Sequence, residues 1–323
     1  MKQPWYSALA VLAITALPEL AAAQAPYPSK PIRLVVPFAP GGPVDTLARA
    51  MGPKLAEVLG QQMIVDNRAG AGSIIGTEIV TRAPPDGYTL LLTSSSLAIN
   101  PAIYPKIPFD ATRDLAPVSQ LSTSSLIAVV HPSVPARSIR ELIALAKARK
   151  GDLVYASSGT GSAPHLAVEL FTSMTGTKMV HVPHKGAAPA TIDLLAGNVA
   201  LMFNNLISAV PNVKAGRLRA LAVTGSARTA ALPDLPTVAE AGVPGYEAST
   251  WYAMFAPPGI AATLVERLHK DVAAVVKSPE ISKQLSAVGI EPVGGAPDQL
   301  AKYLRSEIVK WGKVAKASGA KAD

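Results

Sequence analysis

The chain has 323 residues, 49% of them hydrophobic, which is enough for two domains of ordinary size with cores of their own. It contains no cysteine, which excludes disulfides, thiolate metal sites, a cysteine nucleophile and a lipid-modified N-terminal cysteine. The net charge is +8, yet the basic residues are scattered apart from Lys310, Lys313, Lys316 and Lys321, and only 5% of residues are aromatic; that pattern argues against nucleic acid as a partner and for attraction of small anions.

Residues 1–23 read as a secretory signal peptide: Lys2, an apolar run from Ala8 to Leu17, Pro18, then Ala21, Ala22 and Ala23 as a small-residue cleavage site. The run is about half of the ~20 residues a membrane span needs. The expected location is therefore the periplasm, without a lipid anchor. Beyond it, a β-branched run over 32–36 predicts a strand, and 45–59 has helical periodicity. Strands are predicted at 63–65, 89–93, 126–130 and 153–156, with helices at 75–82 and 138–149. Ser138 is a candidate N-cap with Glu141 three residues on. Short strands at 180–182 and 199–203 flank a helix near 190–196, a further strand covers 218–223, and the chain from Thr263 is mainly helical. This alternation implies α/β architecture with largely parallel sheets and ligands at the carboxyl ends of strands. Pro/Gly/Ser-containing junctions near 121–125 and 244–250 are candidate crossings between two domains.

Several stretches could carry chemistry. In "PFAPGGPVDTLA" a strand runs through Gly41 and Gly42 into a helix, so the backbone can approach a ligand and Asp45 can cap or orient the helix; the same residues also suit a plain tight turn. No lysine follows the glycines, which excludes a P-loop. In "ASSGTGSAPHLAVELF" the hydroxyls of Ser157, Ser158, Thr160 and Ser162 join backbone donors at a helix start, a good seat for a carboxylate. Ser162 and His165 also raise a hydrolase reading, but their i,i+3 spacing is poor triad geometry and no G-x-S-x-G elbow exists. "GAGSIIG", 70–76, is one residue too long for a dinucleotide fingerprint, which favours a close-packed loop. "HVPHKGAAPA" offers His181 and His184 without a nearby carboxylate for metal binding, or His184, Lys185 and Gly186 as an anion-facing loop. Asn204 and Asn205 could meet a ligand or form a turn, and Trp251 and Tyr252 could wall a site or fill a core.

Seven motifs in order give the chain a resemblance to the solute receptors of the tripartite tricarboxylate transporter system, the TctC/Bug family: "VVPFAPGGPVD", "VDNRAGAGSIIG", "APPDGYTLL", "ASSGTGSAPHLA", "VPHKGAAPA", "VKAGRLRALAVT" and "WYAMFAPPG". The resemblance implies a type II-like, Venus-flytrap binding protein with its ligand cleft between two domains. Domain 1 would combine 24–124 with 248–323, and domain 2 would be 125–247. It implies a monomeric receptor for a small di-, tri- or aromatic carboxylate, transient contact with a membrane permease, and neither cofactor, metal nor catalysis. The ligand contacts expected from the motifs and the resemblance are Phe38, Gly41, Gly42, Asp45, Ser94, Ser95, Ser158, Thr160, Gly161, Ser162, His165, His184, Lys185, Gly186, Asn204 and Trp251. Two positions depart from the family's habit: His184 replaces an aromatic before Lys-Gly, and Asn204 replaces an Asp. Losing an acid and gaining a titratable donor favours a purely carboxylated ligand over an amino acid. The rival readings are a secreted Ser/His hydrolase and a receptor that presents its ligand to a sensor kinase.

Overall fold

In the computed structural model, which describes residues 27–322, strands and helices alternate to build a curled sheet with helices packed on its faces. The expected signal peptide lies outside the described residues. In chain order the elements are β1 (Ile32–Val36), α1 (Pro43–Leu59), β2 (Met63–Asn67), α2 (Ile74–Thr81), β3 (Thr89–Ser94), α3 (Ser96–Ile103), β4 (Ala116–Val130), α4 (Ile139–Ala148) and β5 (Val154–Ser157). They continue as α5 (Ala163–Thr175), β6 (Val180–Pro183), α6 (Ala187–Leu195), β7 (Leu201–Asn205), α7 (Leu206–Lys214), β8 (Arg219–Val223), β9 (Ser249–Ala256), α8 (Ala262–Val276), α9 (Pro279–Ser286), β10 (Ile290–Gly295) and α10 (Pro297–Ser318). Among the described residues, no helix is long and apolar enough to cross a membrane.

Local chemistry sets the helix ends. Pro43 opens α1, where its missing N–H costs nothing, and Gly60 closes the helix in the left-handed region at φ 73°. Ser138 Oγ accepts the Glu141 N–H at 3.2 Å to start α4, as the sequence pattern predicts. Along strands the alternation of side chains divides the core. Ile32, Leu34 and Val36 pack with Leu47, Met51 and Leu55 of α1, whereas Val35 faces the opposite cluster with Leu91 and Leu97.

The long strand β4 organises the molecule. Its first part, Ala116 to Ser125, pairs antiparallel with β9, and β10 lies on the same stretch. Its second part, Leu126 to Val130, pairs antiparallel with β7 and β8. One half of the sheet thus holds β1, β2, β3, β9 and β10, with β1 parallel to both β2 and β3. The other holds β5, β6, β7 and β8, with β5 parallel to both β6 and β7. The stretch 121–125, which composition marks as a junction, is continuous strand. Its Ser and Thr residues suit a ladder because partners on both sides, β9 and β10, hydrogen-bond their backbone. Other elements also escape the sequence reading: helix α3 after β3, strand β9 where the aromatic pair was singled out, α7 with Pro211 and Asn212 inside it, and strand β10 within the stretch expected to be mainly helical.

Candidate functional site

The carboxyl ends of the strands in both halves meet at one cavity, with room for about one water molecule at 20 Å³. Its walls are mostly helix beginnings. Pro43 and Val44 are the first two residues of α1, Ser96 begins α3, and Ala187 begins α6. Ser162 caps α5 with Ala163 and Pro164 following, and Asn205 stands at the N-cap of α7. Phe38, Ser94, Ser158, Thr250 and Tyr252 complete the lining. Five helix N-termini therefore surround a cavity that contains no charged side chain. Helix N-termini carry the positive end of a dipole and, where neither proline nor a capping side chain intervenes, unpaired N–H groups, so the cavity suits an anion without a cation.

Contacts between the halves close this cavity. The Tyr252 hydroxyl on β9 donates to Asn205 Oδ1 at 3.1 Å. Burial pushes the Tyr252 pKa well up, so the group stays protonated and donates. Beyond that bond, the Asn205 side chain retains its two amide protons as donors. Nearby, the Ala39 N–H donates to the Lys185 carbonyl at 3.3 Å. That approach needs a glycine at position 186, where φ is +141° and a Cβ would stand 3.2 Å from Ala39 Cβ.

A second chamber of about 210 Å³ lies next to the first, with Phe38 and Ser158 in the lining of both. Pro37, Gly70 to Ser73 and Tyr104 wall it on one side; Gly159, Thr160 and Pro183 to Lys185 wall it on the other. The Tyr104 hydroxyl donates to the Thr160 carbonyl at 3.1 Å across this space. Gly72, at φ +59°, lets the two walls meet: a Cβ there would be 2.7 Å from the Thr160 carbonyl oxygen.

The residues expected from sequence fall into three groups. Phe38, Ser94, Ser158 and Ser162 line the first chamber, and Thr160, His184 and Lys185 line the second. Gly41, Gly42, Gly161 and Gly186 shape the backbone beside them. Gly41 donates its N–H to Asp45 Oδ2 at 2.9 Å, and Gly42 is the N-cap residue of α1.

The others support the site from behind or lie elsewhere. Asp45 is buried under the first loop and held by Arg49. Burial opposes its charge, but Arg49, the Gly41 N–H and Asn67 bring its pKa below the usual carboxylate value. His165 is buried and stacked on His181 at 4.1 Å, with Nδ1 accepting the Gly161 N–H at 3.3 Å. Burial, with His181 beside it, pushes the His165 pKa down to about 3, which keeps the ring neutral as that acceptor requires. Ser162 Oγ accepts the backbone N–H of His165, so the pair forms a helix cap and not a nucleophile with its base.

Three expectations are corrected by strand and turn geometry. Trp251 turns into the core, where its Nε1–H donates to Glu307 at 3.1 Å, and the next residue, Tyr252, takes the cavity side. Asn204 turns inward to the Thr191 hydroxyl at 3.0 Å, leaving Asn205 in the lining. Ser95 bonds the Thr250 hydroxyl at 2.9 Å, between Ser94 and Ser96, which both face the cavity. Sequence reasoning did not select Ser96, Thr250 or the first residues of α1, α5 and α6. The rule that the opening turn of a helix faces the strand ends could have found the helix residues. His184 lies in the second chamber with Nε2 2.7 Å from Asp193 Oδ2, a carboxylate that the short sequence window around it did not include.

This α/β architecture is that of periplasmic solute-binding proteins. It superposes on R. palustris Rpa4515 with adipate at a TM-score of 0.89 and 38% identity, covering 92% of this chain and 100% of that one. MatC from Rhodopseudomonas palustris with bound malate gives 0.85 and 30%, covering 89% and 99%. Protein BugT of Bordetella pertussis is 40% identical over 297 residues, 91% of each chain. The model of the tripartite tricarboxylate transporter family receptor matches residues 47–320, and the chain belongs to that family. Its members are solute-binding receptors, which is not an enzyme class.

Proposed function

We propose that the protein is exported to the periplasm, captures a small carboxylate between its two halves as a monomer, and delivers it to a tripartite tricarboxylate-type permease. The observation that carries this reading is the convergence of five helix N-termini on one uncharged cavity. Backbone N–H groups there replace the hydration of a carboxylate with charge-assisted hydrogen bonds. The adipate and malate bound by the similar proteins support the same ligand chemistry.

In this reading the described parts of 24–124 and 248–323 act together as one lobe and 125–247 as the other, with β4 passing between them near Ser125. Closing the lobes brings Tyr252 to Asn205 and Ala39 to Lys185, hiding the solute from water. A micromolar dissociation constant requires about −8 kcal/mol, within reach of a few such hydrogen bonds plus apolar contact with Phe38 and Val44.

The test is a thermal-shift panel of mono-, di- and tricarboxylates and aromatic acids with the protein lacking its signal peptide. A bound carboxylate at 100 times its dissociation constant stabilises the fold by about 2.7 kcal/mol, a shift of several degrees. A panel in which no carboxylate raises the melting temperature overturns the ligand class.

A further inference from the structure

No residue of α10 lines either chamber of the cleft, yet this helix carries a charged face unlike those of the other helices. We propose that α10 adsorbs the protein onto an anionic phospholipid surface through a stripe of Lys302, Arg305, Lys313 and Lys316, extended by Lys321. The proposal goes beyond the receptor reading, since it concerns an outer surface and not the solute.

Helical spacing makes the stripe. At about 3.6 residues per turn, Lys302, Arg305, Val309, Lys313 and Lys316 fall within an arc of about 80° and span about 21 Å of helix. All five are exposed, as is Lys321 just past the helix end. The opposite face, Leu300, Leu304, Glu307, Trp311 and Ala315, is buried. These residues pack against α3 of one half and α5 of the other, so the stripe stands on a mount rooted in both.

The charge of the stripe is of one sign and unneutralised. Between Gln299 and Ala322 the only acidic residue is Glu307, which is buried against Trp251 and Trp311 and takes Lys310 as its ion-pair partner. Among the described residues, none of the five outward cations forms an ion pair. Other helical cations behave differently: Arg49 pairs with Asp45, Lys54 with Glu57, Arg82 with Glu78 and Arg267 with Asp271. On α10, Lys302 with Arg305 and Lys313 with Lys316 are like charges three residues apart, which costs helix stability. A negative counter-surface relieves that repulsion.

The shape of the stripe favours lipid headgroups over a protein face. A protein interface is anchored by buried aromatic and apolar side chains, and here Val309, 59% exposed, is the only large apolar one. A row of cations with so little to insert adsorbs on a plane of negative headgroups, reversibly and by electrostatics alone. Because α10 stays clear of both chambers, adsorption leaves the solute site open.

The test is flotation of the protein lacking residues 1–23 with vesicles of equal parts phosphatidylglycerol and phosphatidylcholine, and with phosphatidylcholine alone. The protein should float with the first at low salt and not with the second. It should dissociate at about 1 M salt, where the screening length falls to about 3 Å. Each cation near such a surface strengthens binding about fivefold, so Lys313→Gln with Lys316→Gln should weaken it about 25-fold. Changing all five cations to Gln should abolish it. A control removes the same charge elsewhere: Lys106, Lys147, Lys178, Lys214 and Lys270, all exposed, each changed to Gln, should keep most of the binding. Melting temperature and carboxylate affinity should match the wild type in both sets. No flotation with phosphatidylglycerol at low salt, or an equal loss in the control set, overturns the proposal and leaves the receptor reading intact. Vesicle binding unchanged by the stripe substitutions, with loss only of capture by the solubilised permease, overturns it in favour of an acidic protein face.

Discussion

Removing one hydroxyl, in Tyr252→Phe, should weaken solute binding far more than it weakens the fold. The ring is fully packed and phenylalanine preserves its shape, so the packing cost is small. What is lost is the donor to Asn205 Oδ1, a contact between the strand β9 of one half and the start of α7 in the other. In the closed cleft that carbonyl is then buried without a partner, which costs about 1–3 kcal/mol. When the halves part, water satisfies it. The penalty therefore falls on closure, and at 1.4 kcal/mol per decade it corresponds to roughly 5- to 150-fold weaker binding. The assay is calorimetry with the carboxylate that gives the largest thermal shift, alongside melting of the protein without solute. Asn205→Ala and the double variant complete a cycle: if hydroxyl and amide act as one unit, the double variant loses far less than the two single losses combined. Binding by Tyr252→Phe within twofold of the wild type would refute the latch.

Two further predictions concern the fold beneath the site. Glu307 is buried with Oε2 accepting both Trp251 Nε1 at 3.1 Å and Trp311 Nε1 at 2.9 Å; Glu307→Ala strands two indole donors and should cost about 3–5 kcal/mol in urea unfolding. Glu307→Gln, which keeps a carbonyl oxygen for them, should cost less than half of that, and equal losses would show that the charge matters more than the acceptor. His165 supplies a pH prediction: its folded pKa is depressed to about 3 by burial and by His181, below the ordinary value of 6.5. Below pH 6.5 the unfolded chain binds a proton that the folded one does not, so this residue should remove about 1.4 kcal/mol of stability per pH unit down to pH 4. Urea midpoints at pH 6.5, 5.5 and 4.5 check the sign, and a His165→Asn variant should show a shallower decline.

How much of this was legible in the sequence depends on the range of the interactions involved. The strand–glycine–helix passage at 32–59 and the capped start at Ser138 are settled within a few residues, and both were readable. So were the hydroxyl-rich approach to α5 and the His-Lys-Gly turn before α6, because each is a strand end followed by a helix start. What failed was the choice between neighbours. Trp251 and Tyr252 are equally aromatic, and only the register of β9, together with a glutamate 56 residues away, sends one to the core and the other to the cavity. Asn204 and Asn205 differ in the same way, through the Thr191 hydroxyl on α6 and the Tyr252 hydroxyl on β9. Of strand β4 only 126–130 was readable; its first part escaped because the Ser and Thr residues at 122–125 look like a linker until two flanking strands are placed against them.

The division of the cradle between the halves has a consequence for release. The N-termini of α1 and α3 belong to one half, and those of α5, α6 and α7 to the other. On the proposed function, their donors act on one carboxylate together in the closed cleft, yet no single half holds a charged partner in the first chamber that would retain it after opening. Each neutral donor set alone competes poorly with water for an anion, since folding or binding only exchanges one hydration shell for another. Parting the halves therefore dismantles the proximal site at a stroke. An Arg–carboxylate pair in this position, bidentate and rooted in one half, would survive the same motion and slow delivery.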